Sequence, residues 1–181
     1  MADYITTHSG VHMTPLQPKE EQLRIEDIAH ALSFMTRANG HFPEFYSVAQ
    51  HCLACCEEAE KRGYGSRIAV ACLLHDGAEA YLSDITRPVK KNLPYYTEVE
   101  QSLLSLIYQK FLGSNLSKEE EALVKRVDDT MLFFEFRHYM NEELPYGDGA
   151  LKSEPVFSFR PFAEVEQEYL QTFKRLKAEI A

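Results

Sequence analysis

The stretch Ala69–Asp84 reads AVACLLHDGAEAYLSD, and its two halves differ sharply in polarity. Residues 69–74 are all of types that a domain core accepts. An imidazole and three carboxylates follow at once, in the order His75, Asp76, Glu79 and Asp84. Burying such groups is costly unless a partner compensates. A divalent cation is the simplest compensation, because it neutralises the carboxylates and accepts the lone pair of the imidazole.

Further ligands for such a cation can be sought on neighbouring helices. His51 lies in the first turns of a predicted helix, and the pair Asp128-Asp129 lies midway along another. Helical bundles build metal sites in this way, from side chains on facing helices. The candidate ligands are therefore His51, His75, Asp76 and one of Asp128 or Asp129.

This ligand set indicates one divalent metal ion. Two imidazoles and two carboxylates suit Mn, Fe, Co, Ni or Zn, and they admit Mg less readily. Four protein ligands on a six-coordinate ion leave two positions for water or substrate. Such an open site is typical of catalysis rather than of a structural metal.

Hydrophobic periodicity and capping signals predict an all-α helical bundle in a single compact domain, because no stretch alternates with the period of a strand. The predicted segments are an N-terminal arm (1–23), a helical core (24–140), a loop (141–161) and a C-terminal helix (162–181). Within the core we predict a helix over Ile25–Arg37. Further helices are predicted after the caps Ser47, Ser66, Thr97 and Ser117, with the Ser66 helix reaching Tyr81 and a loop or short broken helix over 84–94.

Composition excludes several classes of partner. The net charge is −9, from 19 Lys and Arg against 28 Asp and Glu, which argues against long nucleic acid because its binders present basic surface. No run approaches the roughly 18 apolar residues of a membrane span, and the N-terminus lacks the pattern of a secretion signal. We expect a cytoplasmic protein with no membrane partner.

Cys52 and Cys55 have the C-x-x-C spacing of some zinc and redox sites. A zinc site would need a second pair or matching histidines, and a redox motif would need a preceding strand. Neither is evident, so buried reduced thiols are the favoured interpretation.

The candidate ligands resemble the H…HD…D signature of the HD-domain metal-dependent phosphohydrolases, with His51, His75-Asp76 and Asp128 in the matching places. Flanking segments extend the similarity to a bacterial and phage branch close to the 5′-deoxynucleotidases. These segments are IEDIAH (25–30), YSVAQH (46–51), LLHDGAEAYL (73–82) and DITRPVK (84–90). The resemblance covers about residues 24–140 and is specific as a combination of motifs.

The resemblance implies an HD-type fold and chooses Asp128 over Asp129 as the fourth ligand. It also implies proton transfer by Glu79, with Asp84 as the alternative, and contact of Arg37 and Asp84 with the substrate or its attacking water. One position departs from similar deoxynucleotidases, which have an aromatic residue where this chain has Ala38. Selectivity for deoxyribose is therefore not implied. His41, Phe42 or Phe45 could instead supply the ring that helps to exclude ribose.

The resulting hypothesis is a metal-dependent phosphohydrolase acting on a small phosphomonoester, most simply a nucleoside 5′-monophosphate. Metal-activated water would attack the phosphate. The alternative is a nucleotide-binding sensor that keeps the metal with little or no turnover, and a third reading is a helical interaction module without metal. Relatives suggest a homodimer, for which the aromatic C-terminal part could supply an interface or simply close the core.

Overall fold

Helices account for nearly all the regular structure of residues 3–147 and 149–180, which the computed structural model describes. A short antiparallel hairpin comes first, followed by helices, so the fold is all-α in a single compact domain as predicted. The strands are β1 (Ile5–Thr6) and β2 (His12–Met13), and the helices are α1 (Ile25–Phe34), α2 (Val48–Lys61), α3 (Ser66–Leu74), α4 (Glu79–Leu82), α5 (Arg87–Lys90), α6 (Pro94–Leu112), α7 (Lys118–Met140) and α8 (Phe162–Ile180), with short 3₁₀ turns at Glu20–Gln22 and Arg37–Gly40.

Helix α3 lies at the centre of the domain. Every residue from Ile68 to Leu74 is buried. A helix that is apolar on all sides needs neighbours on all sides, and α3 packs against α2, α6, α7 and α8. The polar residues that follow Leu74 are therefore delivered into the middle of the bundle.

The break after α3 differs from the prediction of one helix from Ser66 to Tyr81. The helix ends at Leu74, residues 75–78 form turns, and α4 begins at Glu79. Gly77 explains the break, since a Cβ there would lie 2.9 Å from the carbonyl oxygen of Leu74 and 3.4 Å from Cδ1 of Ile107. The chain therefore turns at a position where a side chain would crowd the carbonyl oxygen of Leu74.

Two predicted helix boundaries were wrong because of neighbouring segments. Helix α1 stops at Phe34 rather than Arg37, since the backbone of 35–37 turns to pair with the segment before α2: the N–H of Arg37 donates to the carbonyl of Tyr46 at 2.9 Å. Helix α6 begins at Pro94 rather than after Thr97. Proline is favoured at the first helical position because its missing N–H has no partner to lose there.

The predicted caps had mixed outcomes. Ser47 and Ser117 form complete capping boxes with Gln50 and Glu120, as predicted. Ser66 does not cap α3, because that position belongs to Gly65, with φ +83°, and the Ser66 hydroxyl bonds to Glu179 instead.

The ends of the chain close the core. The N-terminal arm contributes the fully buried Met13 and Leu23, and its two-residue strands are too short to leave an alternating pattern. Loop 141–161 holds no helix or strand in its described residues. Tyr169 of α8 is buried and Phe173 packs edge-on to Phe111, so these aromatic residues fill the core.

Residues 1, 2, 148 and 181 of the predicted segments lie outside the described residues. Among the described helices, none combines the length and apolar character needed to cross a bilayer.

Candidate metal centre

Four side chains from three separate segments converge at the end of α3. The Nε2 atom of His51 on α2 lies 3.2 Å from Nε2 of His75 and 3.2 Å from Oδ1 of Asp128 on α7. The Nε2 atom of His75 lies 3.3 Å from Oδ1 of Asp76 and 3.7 Å from Oδ1 of Asp128. All four predicted ligands therefore present donor atoms to one small volume.

These separations fit donors around one cation. Transition-metal ligands lie at about 2.0–2.2 Å from the ion, which places neighbouring donors roughly 3.0–3.6 Å apart. Three of the observed distances, 3.2–3.3 Å, are in this range, and the fourth, 3.7 Å, lies just above it. Groups of His, Cys and Asp here could thus hold a metal ion, and the identity of that ion stays a prediction.

Hydrogen bonds on the far side of each imidazole orient the two histidines. The Nδ1–H of His75 donates to the carbonyl oxygen of Cys72 at 2.7 Å, and that of His51 donates to Oε1 of Glu135 at 2.6 Å. Each ring therefore turns the Nε2 lone pair toward the centre, which is how metal-binding histidines are usually held.

The structure also separates the two adjacent aspartates. Asp128 faces both histidines through Oδ1, while its Oδ2 accepts a hydrogen bond from Arg87 at 2.6 Å. Asp129 points away and pairs with Arg87 at 2.8 Å and with Lys125 at 2.6 Å. Of the two residues, Asp128 is the one placed to be a ligand.

The charges of the centre are mutually compensating. Burial opposes ionisation of Asp128, but the two histidines hold its pKa well below the ordinary value. Burial also opposes protonation of His75, yet Asp76 and its neighbours raise the imidazole pKa well above normal. The carboxylates therefore favour a cationic partner at the Nε2 atoms, whether protons or a metal ion.

The four cysteines are free and buried, as the sequence predicted. The Sγ atom of Cys55 lies 3.5 Å from Nε2 of His51, so this thiol borders the centre. Burial raises the pKa of every thiol, to about 11 for Cys52 and about 12 for Cys72. Since thiolate is the form that binds metal, the His and Asp donors are the stronger ligand candidates.

A cavity of about 520 Å³ opens beside the centre. Arg37, Asp76, Glu79, Asp84 and Asp128 line its polar side. Its apolar wall includes Ala38, Phe42, Ile85, Leu132, Phe136, Met140, Leu144 and Tyr146. The cavity brings all the predicted substrate and proton-transfer residues to the same side of the candidate metal centre.

Glu79 is the most unusual carboxyl of the cavity. It is 4% exposed, and its Oε2 atom has no hydrogen-bond partner among the described residues. Burial, together with the charges of Asp76 and Asp84, raises its pKa well above the ordinary value. Lys90 approaches Oε1 at 3.6 Å. Asp84 is less enclosed, and burial also raises its pKa.

Arg37 enters the cavity from the turn after α1. Its Nη1 lies 3.4 Å from Asp76 and its Nη2 lies 3.5 Å from Glu135. The next two residues, Ala38 and Asn39, both have positive φ, near +50°. These left-handed conformations carry strain that persists where the surrounding structure requires it, and they lie directly after Arg37.

Loop 141–161 covers the cavity. The sequence alone did not predict where this loop lies. Leu144 and Tyr146 line it, and the ring of Tyr146 lies 5.3 Å from the guanidinium of Arg87. Gly147 follows with φ +104°, and a Cβ there would meet Phe133 at 3.1 Å. A glycine is thus required where the loop reaches α7.

Sequence reasoning missed several residues around the centre, chiefly Glu135 and Arg87. Glu135 lies seven residues after Asp128, which is two helical turns, so a search of the same face of α7 would have found it. Arg87 carried no local signal, because only the fold brings it to Asp128. Of the proposed wall residues, His41 and Phe42 line the cavity, while Phe45 packs against Phe159 and Phe162.

The fold and site define an all-α protein with a candidate His/Asp metal centre beside a cavity that has a charged side and an apolar side. The uncharacterized protein YfdR of Escherichia coli K12 is 36% identical over 108 residues, which are 60% of this chain and 58% of YfdR. The uncharacterized protein RCAP_rcc00048 of Rhodobacter capsulatus is 38% identical over 109 residues, 57% of this chain and 55% of that protein. The chain thus spans somewhat more than half the length of these relatives. No protein-family model matches the chain.

Proposed function

We propose that this chain is an HD-type metal-dependent phosphohydrolase that acts on a phosphomonoester, with a nucleoside 5′-monophosphate as the expected substrate. One observation carries the proposal: two imidazoles and two carboxylates meet within 3.2–3.8 Å beside a cavity that contains a buried arginine. The motifs that resemble HD phosphohydrolases include these same residues.

The donor set fits a divalent ion held by His51, His75, Asp76 and Asp128. When bound, such an ion supplies Lewis acidity toward a phosphate oxygen and makes hydroxide available from water near neutral pH. Arg37 is the proposed phosphate-binding residue, because it supplies a guanidinium to the wall of the cavity, where Asp76 and Glu135 hold it at 3.4 and 3.5 Å. A planar guanidinium binds phosphate through two parallel hydrogen bonds.

Glu79 is assigned the proton transfer. A carboxyl with a raised pKa keeps its proton closer to neutral pH and can give it to the leaving oxygen. Lys90, at 3.6 Å, restrains the carboxyl on one side. Asp84 is the alternative proton donor. It is more exposed to solvent than Glu79, so burial favours its protonated form less.

The apolar wall supports a substrate with a flat or hydrophobic leaving group. Phe42 and Phe136 pack edge-to-face at 5.4 Å on this wall, and Tyr146 of loop 141–161 also lines the cavity. Aromatic faces bind the planes of nucleobases by stacking. Because Ala38 adds little bulk near Arg37, we propose that both ribose and deoxyribose nucleotides are accepted.

A substrate panel tests the proposal. Purified protein would be incubated with nucleoside monophosphates and simple phosphate esters, with Mn, Co, Ni and Mg compared in parallel, and released phosphate would be measured. We expect release with at least one metal, abolition in Asp76→Ala, and a loss of about 10²–10⁴-fold in kcat in Glu79→Gln.

The outcomes of the panel separate the enzyme from the alternative. No release above the Asp76→Ala control with any metal would contradict catalysis. Nucleotide binding by calorimetry in the same samples, without product, would instead identify a metal-dependent nucleotide sensor.

A further inference from the structure

One buried carboxylate contacts both the candidate metal centre and the candidate phosphate-binding residue. Glu135 on α7 is fully buried. Its Oε1 accepts the hydrogen bond from Nδ1 of His51 at 2.6 Å, and its Oε2 lies 3.5 Å from Nη2 of Arg37. The two oxygens of one side chain are therefore divided between two functional groups.

We propose that Glu135 is a positioning residue that orients His51 toward the metal and Arg37 toward the phosphate at the same time. The inference rests on the proposed metal site and deepens it. Glu135 does not face the donor atoms of the centre, so it acts through its two partners and not on the reacting atoms.

The His51 contact determines which ring nitrogen carries the proton. A carboxylate oxygen can only accept, so Nδ1 of His51 carries a proton and Nε2 is the nitrogen whose lone pair a metal ion would use. That lone pair is the one facing His75 and Asp128 at 3.2 Å. Fixing the tautomer prepares the ring for a metal before any ion arrives.

The Arg37 contact links the same carboxylate to the cavity. Arg37 is buried, and it also approaches Oδ2 of Asp76 at 3.4 Å. Glu135 and Asp76 therefore hold the guanidinium from two sides. This arrangement leaves the remaining N–H groups of Arg37 available to a phosphate in the cavity.

Glutamine at position 135 cannot serve both partners, although its shape is nearly the same. If its amide oxygen accepts from His51, its NH₂ group faces the donors of Arg37. If the amide is reversed, the NH₂ group donates to Nδ1 of His51, which moves the ring proton to Nε2 and blocks metal binding. Either orientation leaves one contact of a fully buried side chain wrong.

The experiment compares Glu135→Gln with the matched control Glu58→Gln. Glu58 is also a fully buried glutamate that bonds to an arginine, but it lies two helical turns from His51 on α2. Binding of Mn and of Co alone would be measured by calorimetry, and the visible spectrum of bound Co would report its ligand geometry. Inorganic phosphate would then be titrated at saturating metal.

We expect Glu135→Gln to bind metal about 10–100-fold more weakly than wild type, with an altered Co spectrum and weaker phosphate binding. Glu58→Gln should lose stability while keeping wild-type metal affinity. Metal affinity, Co spectrum and phosphate binding of Glu135→Gln that match those of Glu58→Gln would overturn the positioning role. If Glu135→Gln does not fold, Glu135→Asp replaces it: its shortened carboxylate cannot span both partners, so wild-type metal and phosphate affinity in it would overturn the role equally.

The same measurements separate this inference from the proposed reaction. Weaker metal binding in Glu135→Gln would support the positioning role even if wild type hydrolysed no phosphate ester. Hydrolysis by wild type together with unchanged metal and phosphate binding in Glu135→Gln would overturn only the positioning role. Absence of saturable Mn or Co binding by wild type would overturn both.

Discussion

Asp128 and Asp129 are adjacent in the chain but have opposite surroundings. Successive residues on a helix differ by about 100° in direction, so Asp128 faces His51 while Asp129 faces Lys125. Arg87 bridges the two carboxylates from the side of α5. One position along α7 therefore separates a candidate ligand from a carboxylate paired with Lys125 and Arg87.

This contrast provides a matched pair of variants. Asp128→Asn and Asp129→Asn remove the same charge from neighbouring positions. We expect Asp128→Asn to weaken Mn or Co binding by more than about 100-fold, beyond the ~10–100-fold that supporting residues contribute. Asp129→Asn should bind metal nearly as wild type does, since Arg87 keeps its contact with Asp128. Calorimetric titration of each purified variant provides the measurement, and equal losses in both would contradict the assignment of Asp128.

At the residue scale, the sequence indicated which types of side chain build the centre but not their full surroundings. The order of His51, His75-Asp76 and the Asp pair could be predicted because buried polar residues stand out against an apolar helix. From local pattern alone, Asp128 and Asp129 remained alternatives, and the resemblance decided between them. Arg87 could not be predicted, because its contact with Asp128 spans 41 residues and depends on how α5 packs near α7.

Among the elements, local signals predicted helices well and non-local contacts decided where some of them end. The capping boxes at Ser47 and Ser117 depend on residues three apart, so the sequence contains them completely. The end of α1 depends on pairing with the segment before α2. The break after α3 lies at Gly77, where a Cβ would come within 2.9 Å of the Leu74 carbonyl oxygen and would touch Ile107 of α6. It also places His75 and Asp76 in a turn, where both can face one ion without the constraint of a helix.

Glu58 shows how an element holds the covering loop. Its carboxylate accepts hydrogen bonds from the backbone N–H groups of Lys152 and Ser153, from the Ser153 hydroxyl and from Arg62. Burial opposes its ionisation, but these hydrogen bonds lower its pKa below the ordinary value. The ionised form is therefore the one that attaches the segment around residue 152 to α2.

The pKa of Glu58 is lower in the folded protein than in the unfolded chain. Its ionised form therefore stabilises the fold above the unfolded pKa of about 4.3, and this stabilisation is lost as pH falls through the folded-state pKa. We expect Glu58→Gln to reduce the free energy of unfolding by about 2 kcal/mol at pH 7, with a smaller difference below about pH 4. Urea unfolding from pH 7 to pH 3 provides the measurement. Glu57→Gln, at the exposed neighbouring position, should change stability by less than about 0.5 kcal/mol. A difference for Glu58→Gln that grows as pH falls would contradict the role of the ionised form.

For the whole molecule, the candidate centre is a product of tertiary packing. Its donors come from α2, from the turn that directly follows α3, and from α7, and both α2 and α7 pack on α3. The class of fold and the convergence of the donor residues could be predicted from the sequence. An apolar helix needs other helices packed around it, and its polar end needs compensating side chains from those helices. The position of loop 141–161 could not be predicted from the sequence. Tyr146 and Gly147 contact residues of other elements, and no periodic pattern in the sequence signals these contacts.

A ligand shared by three segments should stabilise the whole domain. An ion that binds only the folded chain adds about 2.7 kcal/mol at a free concentration 100 times its dissociation constant. For a chain of this size, each kcal/mol raises Tm by roughly 2–4 °C, so saturating Mn or Co should raise Tm by about 5–10 °C over the chelator-treated protein. Scanning calorimetry with and without a chelator measures the difference. The rise should be retained in Asp129→Asn and nearly absent in Asp128→Asn, because Asp128 faces both histidines and Asp129 pairs with Arg87 and Lys125 instead. A full rise in Asp128→Asn would mean that the stabilising ion binds elsewhere on the molecule, and would remove the physical basis for a centre that joins α2, α3 and α7.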